Sequence, residues 1–278
     1  MSRADASTEP ATEIAGGRPG RSRHTRGRSG MPPLRGLLPL AIGLLAWQLL
    51  ADPGSPYFPP PSRWFAELWA SARGGELLVA LAQTTVTLFL GLLAATVGGA
   101  VLGALIGASR GADRAAGPTL EFLRVLPAAA LVPLAALLLG YTQSMKLAVV
   151  VLPAMWPVLL TVRAARRSVS PVLLDVTRTL GLSWWQRTRK VLVPSLTPSV
   201  LLGVRVAGPL ALIISLLVEI VTRIDGIGAL MGAAQANFRS AQVFGLLVVA
   251  GVLGFIVNLL VNRAEEMVRS RLSGEVRR

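Results

Sequence analysis

The sequence predicts an all-α polytopic membrane protein with six transmembrane helices and one long polar loop between the fourth and fifth. Three observations carry that prediction. Hydrophobic residues fill 53% of the 278 positions and charged residues only 15%, at a mean hydropathy of +0.59, whereas a soluble domain of this length needs a far more charged surface. The apolar residues fall into long runs parted by polar segments, and the length fits about five to seven spans of ~20 residues each. Basic residues concentrate in alternate loops, the pattern that orients spans against the cytoplasmic face.

Composition also excludes whole chemistries. The chain has no cysteine, so disulfides, thiolate metal sites and cysteine nucleophiles are out. Its one histidine, His24, lies in a polar tail. No metal or other cofactor is expected. The net charge of +14 raises nucleic acid as a partner, but in a membrane chain basic loops account for it better.

Residues 1–35 are rich in Arg, Gly, Ser, Thr and Pro without apolar periodicity, and read as a disordered basic cytoplasmic tail. Its arginines either touch anionic lipid or serve only as a positive flank. The six-span apolar domain covers 36–262, and a charged cytoplasmic tail covers 263–278. Span one is 36–51. A basic stretch before a short apolar run resembles a signal peptide, but no small-x-small cleavage site follows, so a retained span is favoured. The proline-rich 52–61 cannot be helix interior. A short amphipathic helix over 63–73 then lies at the interface.

Span two, 81–106, repeats small residues every four positions: Gly91, Ala95, Gly99, Gly103 and, just beyond, Gly107. In lipid such a face lets a neighbouring backbone come close, either within the subunit or between subunits. Span three, 119–139, carries Glu121 and Arg124 at ion-pair spacing, and Pro127 and Pro133 inside it predict kinks. The link 140–146 leads to span four, 147–162, interrupted by Pro153 and Pro157. After the polar loop 163–197 comes span five, 198–221, holding Arg205 and, near its far end, Glu219. A loop over 222–241 contains the turn Asp225-Gly226-Ile227-Gly228 and precedes span six, 243–261.

Charge sets the orientation. Seven Lys/Arg lie in the N-terminal tail, two in the turn 109–118, seven in the 163–197 loop and five in the C-terminal tail, against five in all the alternate loops. Both termini and the polar loop are therefore expected in the cytoplasm, which an even number of spans permits.

Within the polar loop, Ser170-Pro171 is a helix-start signal, and Gly181 allows a left-handed turn. Ser183 can cap a second short helix, 184–193, that Pro194 ends. Two tryptophans, Trp184 and Trp185, stand at the corner beside Arg187, Arg189 and Lys190. From composition alone this knob is equally an interfacial hairpin with tryptophans at headgroup level, or a docking surface for a soluble protein.

The segment DVTRTLGLSWWQRTRKVLVP resembles the EAA loop of ABC importer permeases. Asp175 stands for the motif's Glu, Val176 and Thr177 for its alanines, Gly181 follows six on, Val191 ten later, and Val193-Pro194 closes it. The likeness extends over 57–266, through YFPPPSRW, TTVTLFLGLLAATVGGAVLGALIGAS and LVEIVTRIDGIGALMGAA, and is similar to the aliphatic sulfonate, taurine and nitrate permeases. The arginine-rich N-terminal tail departs from the usual pattern. The resemblance implies a homodimeric plasma-membrane permease, cytoplasmic ATP-binding-cassette ATPase subunits, an external solute-binding protein and contact with membrane lipid. It implies ATPase coupling at Asp175, Thr177, Arg178, Gly181, Leu182, Trp184, Trp185 and Pro194.

The chain carries no G-x-x-x-x-G-K-[ST] loop, so ATP hydrolysis is assigned to a partner and the chain is not itself an enzyme. Arg205 either meets an anion in the path or reaches the interface or another helix. Glu219 and Asp225–Gly228 form a gate, meet the binding protein, or only stabilise their loop. An ion-coupled carrier without an ATPase is the alternative. It needs mid-membrane acids, and Glu121 and Glu219 sit near span ends. A membrane-bound enzyme lacks paired carboxylates or a nucleophile with a base.

Overall fold

The computed structural model describes residues 33–52 and 54–275, so the expected tail over 1–35 lies almost wholly outside the described residues. The chain divides into Met1–Gly43 and Leu44–Arg278. Described residues of the first unit belong to helix α1 (Pro33–Leu50). The second unit holds the end of α1 and α2 (Pro61–Arg73), α3 (Glu76–Ile106), α4 (Arg110–Val125), α5 (Ala128–Leu139), α6 (Gln143–Ser168), α7 (Pro171–Thr179), α8 (Trp184–Arg187), α9 (Val193–Thr222), α10 (Ile227–Ala236) and α11 (Ser240–Glu275).

Among the described residues, four helical stretches are long and apolar enough to cross a membrane: α3, α6, Trp184–Thr222 and Ser240–Val268. A fifth arises if α4 and α5 count together, and the apolar part of α1, Leu38–Leu50, is shorter than a span. Four or five candidates therefore stand where six spans were expected.

The core is built on α3, α6 and α9, and glycine is the reason they pack so closely. The small-residue face of α3 lies against α6 of the same chain. A β-carbon on Gly99 would come within 2.8 Å of Met155 O, and one on Gly103 within 2.5 Å of Leu159 O. From the other side, α9 offers Gly203 to the backbone of Val158 at 2.6 Å from a would-be β-carbon. With no hydrophobic drive between helices in lipid, this close contact supplies the packing. Held on both flanks, α6 runs unbroken through Pro153 and Pro157, where an interruption was expected.

Three further expectations are corrected. Span three is not one kinked helix: α4 and α5 meet at 93°. Leu126, the residue before Pro127, has left helical geometry at φ −59, ψ 123, because the proline ring crowds the α conformation of its predecessor. The polar loop is shorter than 163–197, since α6 continues to Ser168 and α9 begins at Val193. Pro194 does not end a helix. A π-helical turn, Thr188–Leu192, joins α8 to α9, and its wider hydrogen-bonding pattern admits a proline that an α-helical interior resists. Apart from these three, residues 263–275 of the charged tail are helical and continue α11.

Candidate functional site

Two clusters stand at opposite ends of the same helical stretch. At one end is the knob over 169–192. Helix α7 starts with Pro171 at its first turn and stops at Gly181, whose φ of +63 lies in the left-handed region. Gly181 N–H donates to Arg178 O at 2.9 Å and Leu182 N–H to Thr177 O at 3.1 Å, the paired closure of a glycine-ended helix. Ser183 then opens α8 through a capping box. Its Oγ accepts from Gln186 N–H at 3.3 Å, and Gln186 Oε1 accepts from Ser183 N–H at 3.0 Å, which meets two orphan donors at once.

These turns leave an apolar surface in the open. Trp184 and Trp185 are 74% and 63% exposed, with ring centroids 6.5 Å apart, and Val172, Val176 and Leu180 of the α7 segment are exposed as well. Asp175 and Arg178 pair at 2.9 Å on the exposed side of α7. Thr177 is buried and donates to Leu174 O at 2.6 Å, so it packs within the knob. Leu182 is half-buried behind the glycine, and Pro194 lies in the first turn of α9. Nearby, Arg163 and Arg167 of α6 both pair with Asp113 of α4, Arg163 at 2.6 Å.

At the far end of α9, Glu219 is fully buried and forms an ion pair with Lys146 at 2.6 Å, itself fully buried. Four elements meet on this pair. Thr84 of α3 donates its hydroxyl to the carboxylate at 2.9 Å and accepts Ile227 N–H at 2.9 Å. Gly228 N–H donates to Glu219 Oε2 at 2.9 Å, and Lys146 Nζ donates to Asp225 O at 2.7 Å. Gln143 Nε2 reaches Asp225 Oδ2 at 3.2 Å. The turn wraps the carboxylate so tightly that a β-carbon on Gly226 would overlap it, and one on Gly228 would lie 2.5 Å from Leu216 O.

The geometry at Glu219 and Asp225–Gly228 holds the turn. Lys146 was assigned by sequence to a link, yet it sits in the first turn of α6, inside the core. The available signal was its identity, because Lys146 is one of only two lysines among 28 basic residues. Arg205, half in the open, faces Glu265 of α11 at 3.7 Å, so it reaches another helix. Arg124 and Glu121 pair at 2.7 Å as their spacing predicts. Between the α4–α5 bend, α6 and α9 runs an apolar groove of about 620 Å³, walled by Leu126, Leu131, Trp156, Leu160, Leu210 and Ile213, with Arg124 among its lining.

Among the described residues, an all-helical bundle with glycine-packed spans, one broken helix and a polar knob beyond the apolar runs defines a multi-pass membrane protein. Residues 95–274 match the family described as binding-protein-dependent transport system inner membrane component, and the chain belongs to that family of ABC transporter permeases. A putative aliphatic sulfonates transport permease protein of Bacillus subtilis is 27% identical over 84% of this chain and 85% of its own length. A bicarbonate transport system permease protein of Synechocystis sp. is 29% identical over 82% and 85%. Among solved structures, a chain of the inward-facing MetNI methionine ABC transporter shares the fold at a TM-score of 0.60 and 17% identity, over 69% of this chain and 95% of that one.

Proposed function

We propose that the chain is the membrane subunit of an ATP-driven importer for a small solute of the sulfonate, taurine, nitrate or bicarbonate type. The relatives' names support that solute class. One observation carries the mechanical part: the stretch Trp184–Thr222 is continuously helical, with exposed tryptophans at its start and the buried Glu219 near its end. A cytoplasmic ATPase that moves the knob therefore moves the core helix, and with it the α10 turn that Glu219 and Lys146 lock to α3 and α6. Coupling of this kind needs two distinct sites and a packed element between them, not a shared ligand.

In this reading Trp184, Trp185 and the apolar face of α7 fill a groove on the ATPase, Gly181 sets the corner, and the Asp175–Arg178 pair borders the contact. Two copies of the chain face each other across the apolar groove, and solute passes between them, delivered by an external solute-binding protein. Both termini lie in the cytoplasm, as the charge bias favours. Hydrolysis of ATP belongs to the partner.

Purification tests the coupling. The solubilised chain, produced with its ATPase subunit, is expected to carry that subunit with it. Gly181→Trp is expected to abolish recovery while membrane insertion persists, because a side chain at φ +63 is strained even though the space around it is open. Solute uptake that continues in membranes lacking any such ATPase would overturn the reading in favour of an ion-coupled carrier.

A further inference from the structure

Helix α2 divides its surface three ways. Pro61, Trp64 and Ser71 are buried, and Leu68 and Ala72 pack on the main core. Arg63, Glu67 and Ala70 are exposed on the far side, at about 100° of rotation per residue. Between these two sides Phe65 and Trp69, one turn apart, are 61% and 62% exposed. They flank an open, apolar recess of about 580 Å³, lined also by Ala66, Leu68 and Ala72 of α2 and by Leu77 of α3. The Arg73 guanidinium lies 5.1 Å above the Trp69 ring, held there by the ring's negative face.

Packing fixes the depth of this shoulder. Leu77 is the second residue of α3, and Trp64 stacks on Phe244 at 5.0 Å, near the start of α11. Both are span-length helices, so α2 lies at the level where two spans leave the hydrocarbon. Aromatic rings favour that level, and an arginine there can lay its stem on apolar surface while its head meets polar groups.

We propose that the α2 shoulder is a phospholipid site, with one acyl chain in the Phe65–Leu77 recess and the headgroup phosphate against Arg73. The recess offers a chain a wall of carbon, the guanidinium offers a phosphate a planar pair of donors, and the two are adjacent. The proposal rests on the membrane reading of the chain.

The absence of cysteine makes a direct test simple. Single cysteines at Phe65→Cys, Trp69→Cys, Ala70→Cys and Val97→Cys, each carrying a nitroxide, are placed in the full chain in phospholipid nanodiscs. Relaxation by oxygen and by a water-soluble nickel chelate is then compared. Labels at 65 and 69 are expected to favour oxygen, and the label at 70 the chelate. Val97, exposed in the middle of α3, reports insertion by itself, so failure of the membrane reading is distinguished from failure of the lipid site. Chelate access at 65 and 69 would mark a water-facing surface for a soluble partner and overturn the proposal. Shielding from both reagents would mark a protein contact, such as a second copy, and overturn it equally. Native mass spectra of the unlabelled chain supply the second arm. Arg73→Glu is expected to retain about one phospholipid fewer per chain, and an unchanged lipid count would refute the role given to Arg73.

Discussion

Glu219 and Lys146 carry opposite charges in a place that water does not reach, so each is tolerated only because of the other. Removing one partner strands the second, at a cost of about 3–5 kcal/mol for a buried pair, whereas replacing both by apolar groups is often close to neutral. Glu219→Gln is therefore expected to lower the unfolding midpoint of the detergent-solubilised protein sharply. Lys146→Met combined with Glu219→Leu should recover most of that loss. If the double variant is as unstable as the single one, the pair is not the source of the stability, and the turn hydrogen bonds from Gly228 and Thr84 carry it instead. Gly226→Ala is expected to be damaging on its own, because its β-carbon would occupy the space of the carboxylate. This cluster was barely legible beforehand. Glu219, Asp225 and the two glycines stand close in sequence, but their counter-charge lies more than seventy positions upstream and their hydroxyl further still. Only folding brings them to one point.

Among the elements, the knob was the most legible part of the chain. Ser170-Pro171, Gly181 and Ser183 each act on their own backbone within a few residues, and the closure and capping hydrogen bonds form where those residue types stand. The helices around it were less so. Pro127 breaks its span while Pro153 and Pro157 leave theirs whole, and no local rule separates the three cases. The difference lies in the neighbours: α6 is gripped by the glycine faces of α3 and α9, and the residue before Pro127 takes an extended conformation at the bend. The grip itself is testable. Gly103→Leu is expected to cost ~1–3 kcal/mol through overpacking, read as a lowered midpoint and faster amide exchange in α3. The same change at Gly251, where a β-carbon meets nothing within 4 Å, should leave the midpoint nearly unchanged.

At the scale of the whole molecule, the structure sets two polar clusters at opposite ends of one helical stretch, and charge predicts which end is which. The knob faces the cytoplasm if the basic loops do, and the α9–α10 turn faces out. A membrane-impermeant maleimide checks this in intact cells. A cysteine placed at Phe238, exposed beyond α10, is expected to react from outside, and one placed at Leu180 in the knob only after permeabilisation. The reverse result would invert the orientation and remove the cytoplasmic ATPase as the knob's partner.

The sequence by itself determined that the chain is helical, membrane-spanning and polar between two of its apolar runs, because hydropathy and helix-end signals act through solvent and through the nearest few residues. It also carried the family, through the spacing from Asp175 by Gly181 to Pro194. Tertiary structure alone decided that the glycine face of α3 meets α6 of the same chain, that a π-helical turn carries the knob without a break into α9, and that Lys146 neutralises Glu219. Each of these depends on which distant surfaces meet. In lipid, where hydrophobic attraction between helices is absent, shape and charge complementarity at the contact make that choice.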